Sequence, residues 1–175
     1  SAAEVLHQAL GYTDGVRKTG VINALGQKKD PRSSKKLIAI ADTEQNEQAE
    51  AALHALGKIG DKRALDYLKK RIKMKDDRLH VAVVQSFLIG AEYYLEKDKG
   101  KEVYDSYRLL FKSNEEDQIR FAALRGMILA RSENAAALIR EVFEEENQDN
   151  VEMAIRLIKY IPQGQEISPL MAGWD

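Results

Sequence analysis

Residues 52–65 read Ala-Leu-His-Ala-Leu-Gly-Lys-Ile-Gly-Asp-Lys-Arg-Ala-Leu, and this stretch decides the fold. Two apolar stripes at the three- and four-residue spacing of a helical face overlap it: Ala49, Ala52, Leu53 and Leu56, then Ala64, Leu65, Leu68 and Ile72. Between the stripes, Gly57 and Gly60 are expected to break the first helix, and Asp61 is placed to cap the second. Because the turn is short, the pattern predicts two antiparallel helices packed side by side.

The same pattern recurs along the chain. Its apolar anchors follow one another at steps of 31, 31, 40 and 31 residues: Leu25, Leu56, Phe87, Met127 and Ile158. Asp30-Pro31-Arg32 also precedes Asp61-Lys62-Arg63 by 31 residues, with Pro31 at the first helical position, where its missing N–H costs nothing. Self-similarity at this period is typical of a solenoid, whose units bury their apolar faces by stacking on neighbours. The sequence therefore predicts an all-α solenoid of about five helix-pair repeats.

The predicted domain organisation is a single repeat domain over residues 1–175. Its repeats lie near residues 14–42, 46–75, 78–112, 117–146 and 149–161. We expect a longer first helix and an exposed turn in repeat three, and Ser132 at the capping position of repeat four. Residues 1–11 are interpreted as a partial repeat or a cap, and residues 162–175 as a tail. Two alternatives stay open, namely a segment of a longer array and an array capped at its own ends.

Composition indicates a charged helical chain. The hydrophobic fraction is 44% and the charged fraction 31%, and no apolar run approaches the length of a membrane span, so none is expected. The absence of cysteine excludes disulfides, thiolate metal sites and cysteine nucleophiles, and is compatible with any compartment. Charge is uneven, because residues 1–87 hold 16 basic and 11 acidic side chains while residues 88–175 hold 11 and 17.

The stretch 52–65 resembles the short-period HEAT-like repeats found in phycobilisome lyase subunits and many bacterial scaffold proteins. The resemblance is strongest over residues 14–72, fair over 115–161 and degraded in the third repeat and the tail. It implies a right-handed α-α superhelix, a HEAT-like solenoid, with first helices on the convex side and second helices lining a concave face. It implies no single activity, because one fold can serve many functions.

Residues that carry chemistry are sparse. His7, His54 and His80 lie far apart in repeat register, without the spacing of a metal-binding helix or a cluster of carboxylates. The acidic runs at 115–117 and 144–146 are interpreted as solvated helix ends. We therefore predict no enzyme, no metal site and no cofactor.

The candidate binding surface is the ridge of the second helices that faces away from the core. At 100° per residue, the ridge of repeat two holds Arg63, Asp66, Lys70 and Lys73. A flanking column holds Lys36, Tyr67, Ser106 and Leu138. An exposed tyrosine among basic residues is typical of an interface anchor. Six residues are predicted to bind a partner: Arg32, Lys35, Lys36, Arg63, Tyr67 and Lys70. The competing interpretation is that they are the solubilising positions of any helix.

The favoured function is a non-catalytic scaffold, or a repeat module of a larger protein, that binds a protein or peptide partner along the concave second-helix surface. Nucleic-acid binding is an alternative that rests on the run Lys69-Lys-Arg-Ile-Lys-Met-Lys75. A pI near 6.3 and the acidic second half argue against it, because phosphate neutralisation needs a continuous basic track. A tetrapyrrole lyase or chaperone subunit is suggested by the family resemblance alone. A spacer between two flanking domains is not separated from a scaffold by the sequence.

Overall fold

The computed structural model describes residues 2–43, 47–74, 78–145 and 147–165. These residues form ten α-helices and no strand: α1 (Ala2–Ala9), α2 (Gly15–Lys28), α3 (Ser34–Thr43), α4 (Glu47–Ile59), α5 (Lys62–Ile72), α6 (His80–Glu96), α7 (Tyr104–Phe111), α8 (Asp117–Ala130), α9 (Ala135–Glu144) and α10 (Gln148–Leu157). Short 3-10 turns precede α3, α7 and α9 and follow α10. The predicted all-α, repeat-built fold is confirmed. Within the described ranges, every helix is too short or too polar to cross a lipid bilayer.

The chain divides into two compact units, Ser1–Tyr94 and Leu95–Asp175. In the first unit, α4 is the central helix, because it packs against α2, α3 and α5. Its Leu53 and Leu56 are fully buried, as are Leu25 of α2 and Leu68 of α5. Burying a side chain of this size contributes roughly 1.5–3 kcal/mol, so the stability of the first unit depends on this helix.

Two glycines set how closely the helices of the first unit approach. Gly26 and Gly57 lie 31 residues apart, buried inside α2 and α4. A Cβ atom on Gly26 would lie 2.8 Å from Ala55 Cα, and one on Gly57 would lie 2.5 Å from the backbone oxygen of Ser86. The prediction that Gly57 breaks the first helix is therefore wrong. The helix continues to Ile59, and the missing side chain allows backbone-to-backbone packing.

The helix ends of the first unit follow the same repeat. Lys29 and Gly60, also 31 residues apart, both adopt the left-handed conformation, with φ of 49° and 60°. The next residue in each case supplies a cap, since the Asp30 carboxylate accepts from Arg32 N and the Asp61 carboxylate accepts from Ala64 N. The predicted cap at Asp61 is confirmed, and so is the predicted place of the proline at the start of the helical segment in repeat one.

In the second unit, α8 packs against α7, α9 and α10. Tyr107 and Phe111 of α7 and Leu124 of α8 form its core. A Cβ atom on Gly126 would lie 2.4 Å from the Tyr107 ring, so this glycine makes room for the tyrosine. The predicted long first helix of repeat three is confirmed as α6, with 17 residues, and the exposed residues 97–99 form the turn after it.

The end of the second unit differs from the prediction at two positions. Ser132 lies in a 3-10 turn and provides no side-chain cap. Instead, the side chain of Gln165 accepts from Ala136 N at 2.9 Å and donates to Ser132 O at 2.6 Å, which satisfies the start of α9. The predicted anchor Ile158 is half-buried in the last 3-10 turn, and Leu157 occupies the fully buried position. The predicted tail beyond residue 165 lies outside the described residues.

Candidate functional site

A cleft of about 790 Å³ opens in the first unit between the start of the α3 segment and α5. One side is lined by Pro31, Arg32 and Ile38. The other side belongs to α5 and its cap: Asp61, Lys62, Arg63, Asp66, Tyr67 and Lys70. The cleft therefore brings together four of the six residues predicted to bind a partner: Arg32, Arg63, Tyr67 and Lys70. Its size lies within the range of ligand pockets, roughly 300–1,000 Å³.

The amphipathic pattern of α5 positions its side of the cleft. Leu65, Leu68 and Ile72 face the core and are buried. Arg63 and Lys70 are seven residues apart, which places them on one face of the helix, with Tyr67 between them. Because the apolar stripe fixes the rotation of α5, these three side chains must line the outer surface of the helix.

Arg63 and Lys70 are the uncompensated cations of the cleft. Both are exposed. Within the part of the chain that the structure describes, neither side chain forms a hydrogen bond or an ion pair. By contrast, Lys62 lies 3.1 Å from the Asp66 carboxylate, to which Lys69 also approaches within 3.8 Å. The two uncompensated charges are therefore the ones open to a ligand.

Arg32 lines the cleft but already has an acidic partner. Its Nε and Nη2 atoms donate to the Asp30 carboxylate at 3.0 and 2.8 Å, and Glu4 lies 4.0 Å from Nη1. The side-chain hydrogen bond from Arg32 lowers the pKa of Asp30 below its ordinary value, and the same bond raises the pKa of Arg32. The repeat register predicts Arg32 as a binding residue of the second-helix ridge, but it does not show that the guanidinium is compensated by Asp30.

Tyr67 is a fixed wall of the cleft. Its side chain is half-buried, so the prediction of an exposed tyrosine is wrong. The hydroxyl donates to the Asp42 carboxylate at 2.6 Å and accepts from Arg71 Nη1 at 2.8 Å, and the Arg71 guanidinium lies 5.7 Å from the ring centre. Burial, followed by the bond to Asp42, raises the pKa of Tyr67 to about 12. With its hydroxyl engaged, Tyr67 offers the cleft an aromatic surface.

The other two predicted residues, Lys35 and Lys36, are exposed on α3 and do not line the cleft. Lys36 Nζ donates to the backbone oxygen of His7 at 3.3 Å, so this side chain extends towards α1. The flanking column predicted through Lys36 and Tyr67 also fails in the later repeats, because Ser106 and Leu138 are buried.

Asp61 and Ile38 are cleft residues that the sequence analysis did not select. The Asp61 carboxylate accepts from Ser34 Oγ at 2.8 Å and from Ala64 N at 3.0 Å, so it holds the starts of α3 and α5 together. Ile38 is half-buried and gives the opposite wall an apolar side chain. The sequence pattern predicts only a capping role for Asp61, and it does not distinguish Ile38 from a core position of α3.

His7 and His54 join neighbouring repeats. His7 Nε2 lies 2.7 Å from Ser33 Oγ, and His54 Nδ1 lies 3.3 Å from Ser86 Oγ. These contacts give both imidazoles a structural role. No group of three or more His, Asp or Glu side chains in the described ranges is placed to hold a metal ion.

A smaller groove in the second unit has the opposite charge. It measures about 270 Å³ and lies between α8 and α10. Asp117, Asp149 and Glu152 line it, and Arg156 lies 4.8 Å from the ring centre of Phe121 at its side. The charged side chains that line the groove of the second unit are therefore mainly acidic, whereas those that line the cleft of the first unit are mainly basic.

Residues 3–87 match the family model of HEAT repeats. The matched range contains α1 from its second residue, all of α2 to α5 and the first part of α6, and therefore the whole cleft. No curated protein matches the chain in a sequence search. HEAT repeats generally mediate protein–protein interaction or scaffolding and are typically non-catalytic.

Proposed function

We propose that this protein is a non-catalytic interaction scaffold that binds a protein or peptide partner in the cleft between α3 and α5, because residues 3–87 match the family model of HEAT repeats. The observation that carries the proposal is the position of Arg63 and Lys70. Both are uncompensated, and both border a cleft whose exposed lining is mostly apolar. Apolar surface with a few polar groups at its border is the usual composition of a binding site.

The local architecture supports binding by a preformed surface. Asp61 ties the starts of two helices together, and Tyr67 is held by Asp42 from α3 and by Arg71 from its own helix. A partner therefore does not have to order these walls on binding, which reduces the entropic cost of association. No reactive group is required for this function.

Charge reversal at the cleft tests the proposal. The variant is Arg63→Glu with Lys70→Glu, and the matched control is Arg17→Glu with Lys28→Glu. All four residues are exposed in the first unit, and each pair of substitutions changes the net charge equally. Affinity capture from source-cell extract, followed by mass spectrometry, compares the two variants with the unmodified chain after thermal melts have shown that each is folded.

We expect proteins that are captured by the unmodified chain and by the control but lost with the cleft variant. Reversing two border charges turns attraction into repulsion and acts mainly on a partner seated between them. Capture of the same proteins by all three chains would contradict the proposal. Recovery of nuclease-sensitive nucleic acid in place of a protein would also contradict it.

A further inference from the structure

We infer that the cleft between α3 and α5 takes an acidic peptide segment in which two carboxylates flank an apolar side chain. The inference rests on the proposed function and adds the chemistry of the partner. Its basis is the charge balance inside the cleft, the spacing of the two uncompensated cations and the apolar walls between them.

The charge balance favours an anionic ligand. Four cations line the cleft against the two carboxylates Asp61 and Asp66. Asp66 is matched by Lys62, and the Asp61 carboxylate is engaged by Ser34 and by the backbone of α5. Arg32 is matched by Asp30 outside the lining. Arg63 and Lys70 are left as two positive charges without an ion-pair partner among the described residues, against the single hydrogen-bonded carboxylate of Asp61, so the balance remains positive.

The spacing of these cations matches a short extended segment. Seven residues along an α-helix correspond to about 10 Å between Arg63 and Lys70. A polyproline-type chain has three residues per turn and rises about 3.1 Å per residue, so acidic residues three apart lie on one side at about 9 Å. Such a segment presents one carboxylate to each cation.

The walls between the cations favour an apolar side chain at the centre of the segment. Tyr67 lies between Arg63 and Lys70 on α5, and Ile38 lies on the opposite wall. Because the Tyr67 hydroxyl is already bonded to Asp42 and Arg71, the ring can contribute contact area more readily than a new hydrogen bond. A phosphate backbone suits this site less well, because it needs a continuous basic track and meets Asp61 and Asp66 here.

Fluorescence anisotropy with a defined probe tests the inference. The probe is a fluorescein-labelled peptide, Gly-Gly-Glu-Leu-Pro-Glu-Gly-Gly, titrated with the full chain at low salt. One control peptide carries Gln in place of both Glu residues, and another carries Ser in place of Leu. The two double variants described above provide matched proteins.

We expect the acidic peptide to bind the unmodified chain and the Arg17→Glu, Lys28→Glu control equally. Its Kd should rise about tenfold with Arg63→Glu, Lys70→Glu, and the Gln peptide should bind the unmodified chain about tenfold more weakly than the acidic one. Added salt should raise the Kd of the acidic peptide and leave the Kd of the Gln peptide nearly unchanged, because only the acidic peptide binds through charge. Replacing Leu should weaken binding severalfold through lost apolar contact.

Equal binding of the acidic and Gln peptides, equal binding to both double variants, or no measurable binding would overturn the inference. Its failure is distinguishable from failure of the proposed function. If extract proteins still depend on Arg63 and Lys70 while the acidic peptide shows no preference, the acidic ligand is wrong and the scaffold stands. If neither the capture of extract proteins nor the binding of the acidic peptide depends on Arg63 and Lys70, the inference and the proposed function are both wrong.

Discussion

Replacing Gly57 with alanine should destabilise the protein, although alanine is the better helix former. The substitution gains about 1 kcal/mol in helix propensity. The new Cβ atom, however, would lie 2.5 Å from Ser86 O and 2.9 Å from Ser86 Cα, where ordinary contacts begin at 3.4 Å. Both are backbone atoms, so α6 would have to retreat by about 1 Å, which forfeits much of the dispersion attraction across the contact.

Overpacking of this kind costs roughly 1–3 kcal/mol, and more where no side chain can move aside. We expect a net loss of about 1–2 kcal/mol for Gly57→Ala after the propensity gain. The matched control is Gly20→Ala in α2, where the residue is exposed and nothing lies within 4 Å of the new Cβ atom. It should gain about 0.5–1 kcal/mol.

Thermal melts followed by circular dichroism measure this contrast. The two variants should differ by about 1.5–3 kcal/mol, which corresponds to a separation in Tm of about 3–12 °C for a chain of this size. Gly26→Ala should behave like Gly57→Ala, because its Cβ atom would lie 2.8 Å from Ala55 Cα. If Gly20→Ala and Gly57→Ala raised Tm alike, the close approach of α4 and α6 would be refuted.

Three further predictions concern helix ends, the core and pH. Lys29→Gly should stabilise the protein by up to about 1 kcal/mol, because Lys29 adopts a left-handed conformation that is unfavourable for any residue with a Cβ atom. Gly60→Ala should destabilise the protein for the same reason. Urea titrations that gave the opposite signs would refute the repeat of helix ends. Leu68→Ala should lower the free energy of unfolding by about 2–5 kcal/mol, because Leu68 is fully buried. Lys70→Ala should change it by less than about 0.5 kcal/mol, because Lys70 is exposed. Equal losses in the same titrations would contradict the assigned faces of α5. The folded state raises the pKa of Tyr67 from 10.0 to about 12, so its contribution to stability is fully present below pH 10 and is lost as pH rises towards 12. Tyrosinate absorbance should show a late-titrating group that disappears in Tyr67→Phe, and an unchanged titration curve would count against this assignment.

The sequence predicted the fold well because helical packing leaves a periodic trace. Leu25, Leu56, Phe87 and Met127 are all buried, as the repeat register requires. The prediction for Gly57 is wrong because glycine serves both as a helix terminator and as a close-packing residue. Local pattern does not distinguish the two roles, since the difference depends on Ser86, 29 residues further along the chain.

The candidate site was predicted in part for similar reasons. The angular position of a residue on a helix follows from its number, so Arg63 and Lys70 were placed on the outer face of α5. Whether a charged side chain has an ion-pair partner depends instead on its neighbours in three dimensions. Tyr67 bonds to Asp42, 25 residues earlier, and Lys36 bonds to the backbone of His7. Both contacts depend on how α3 packs against its neighbours, and the pattern of a single helix does not contain that information.

The amphipathic division of α5 links stability to the proposed function. The same rotation that buries Leu65 and Leu68 presents Arg63 and Lys70 to the cleft. Core and surface substitutions in this helix should therefore have different effects. The first kind should lower stability, and the second should weaken partner capture without lowering Tm.

Site-specific photo-crosslinking tests the central claim most directly, namely that the cleft between α3 and α5 is the partner-binding surface. The photoreactive residue p-benzoylphenylalanine replaces Ile38 inside the cleft in one chain and Val81, which is 66% exposed on α6, in a control chain. Irradiation in source-cell extract should give a covalent protein adduct from position 38 that is absent from position 81 and is lost when Arg63 and Lys70 are reversed to Glu. Adducts that form from position 81 but not from position 38 would contradict the account.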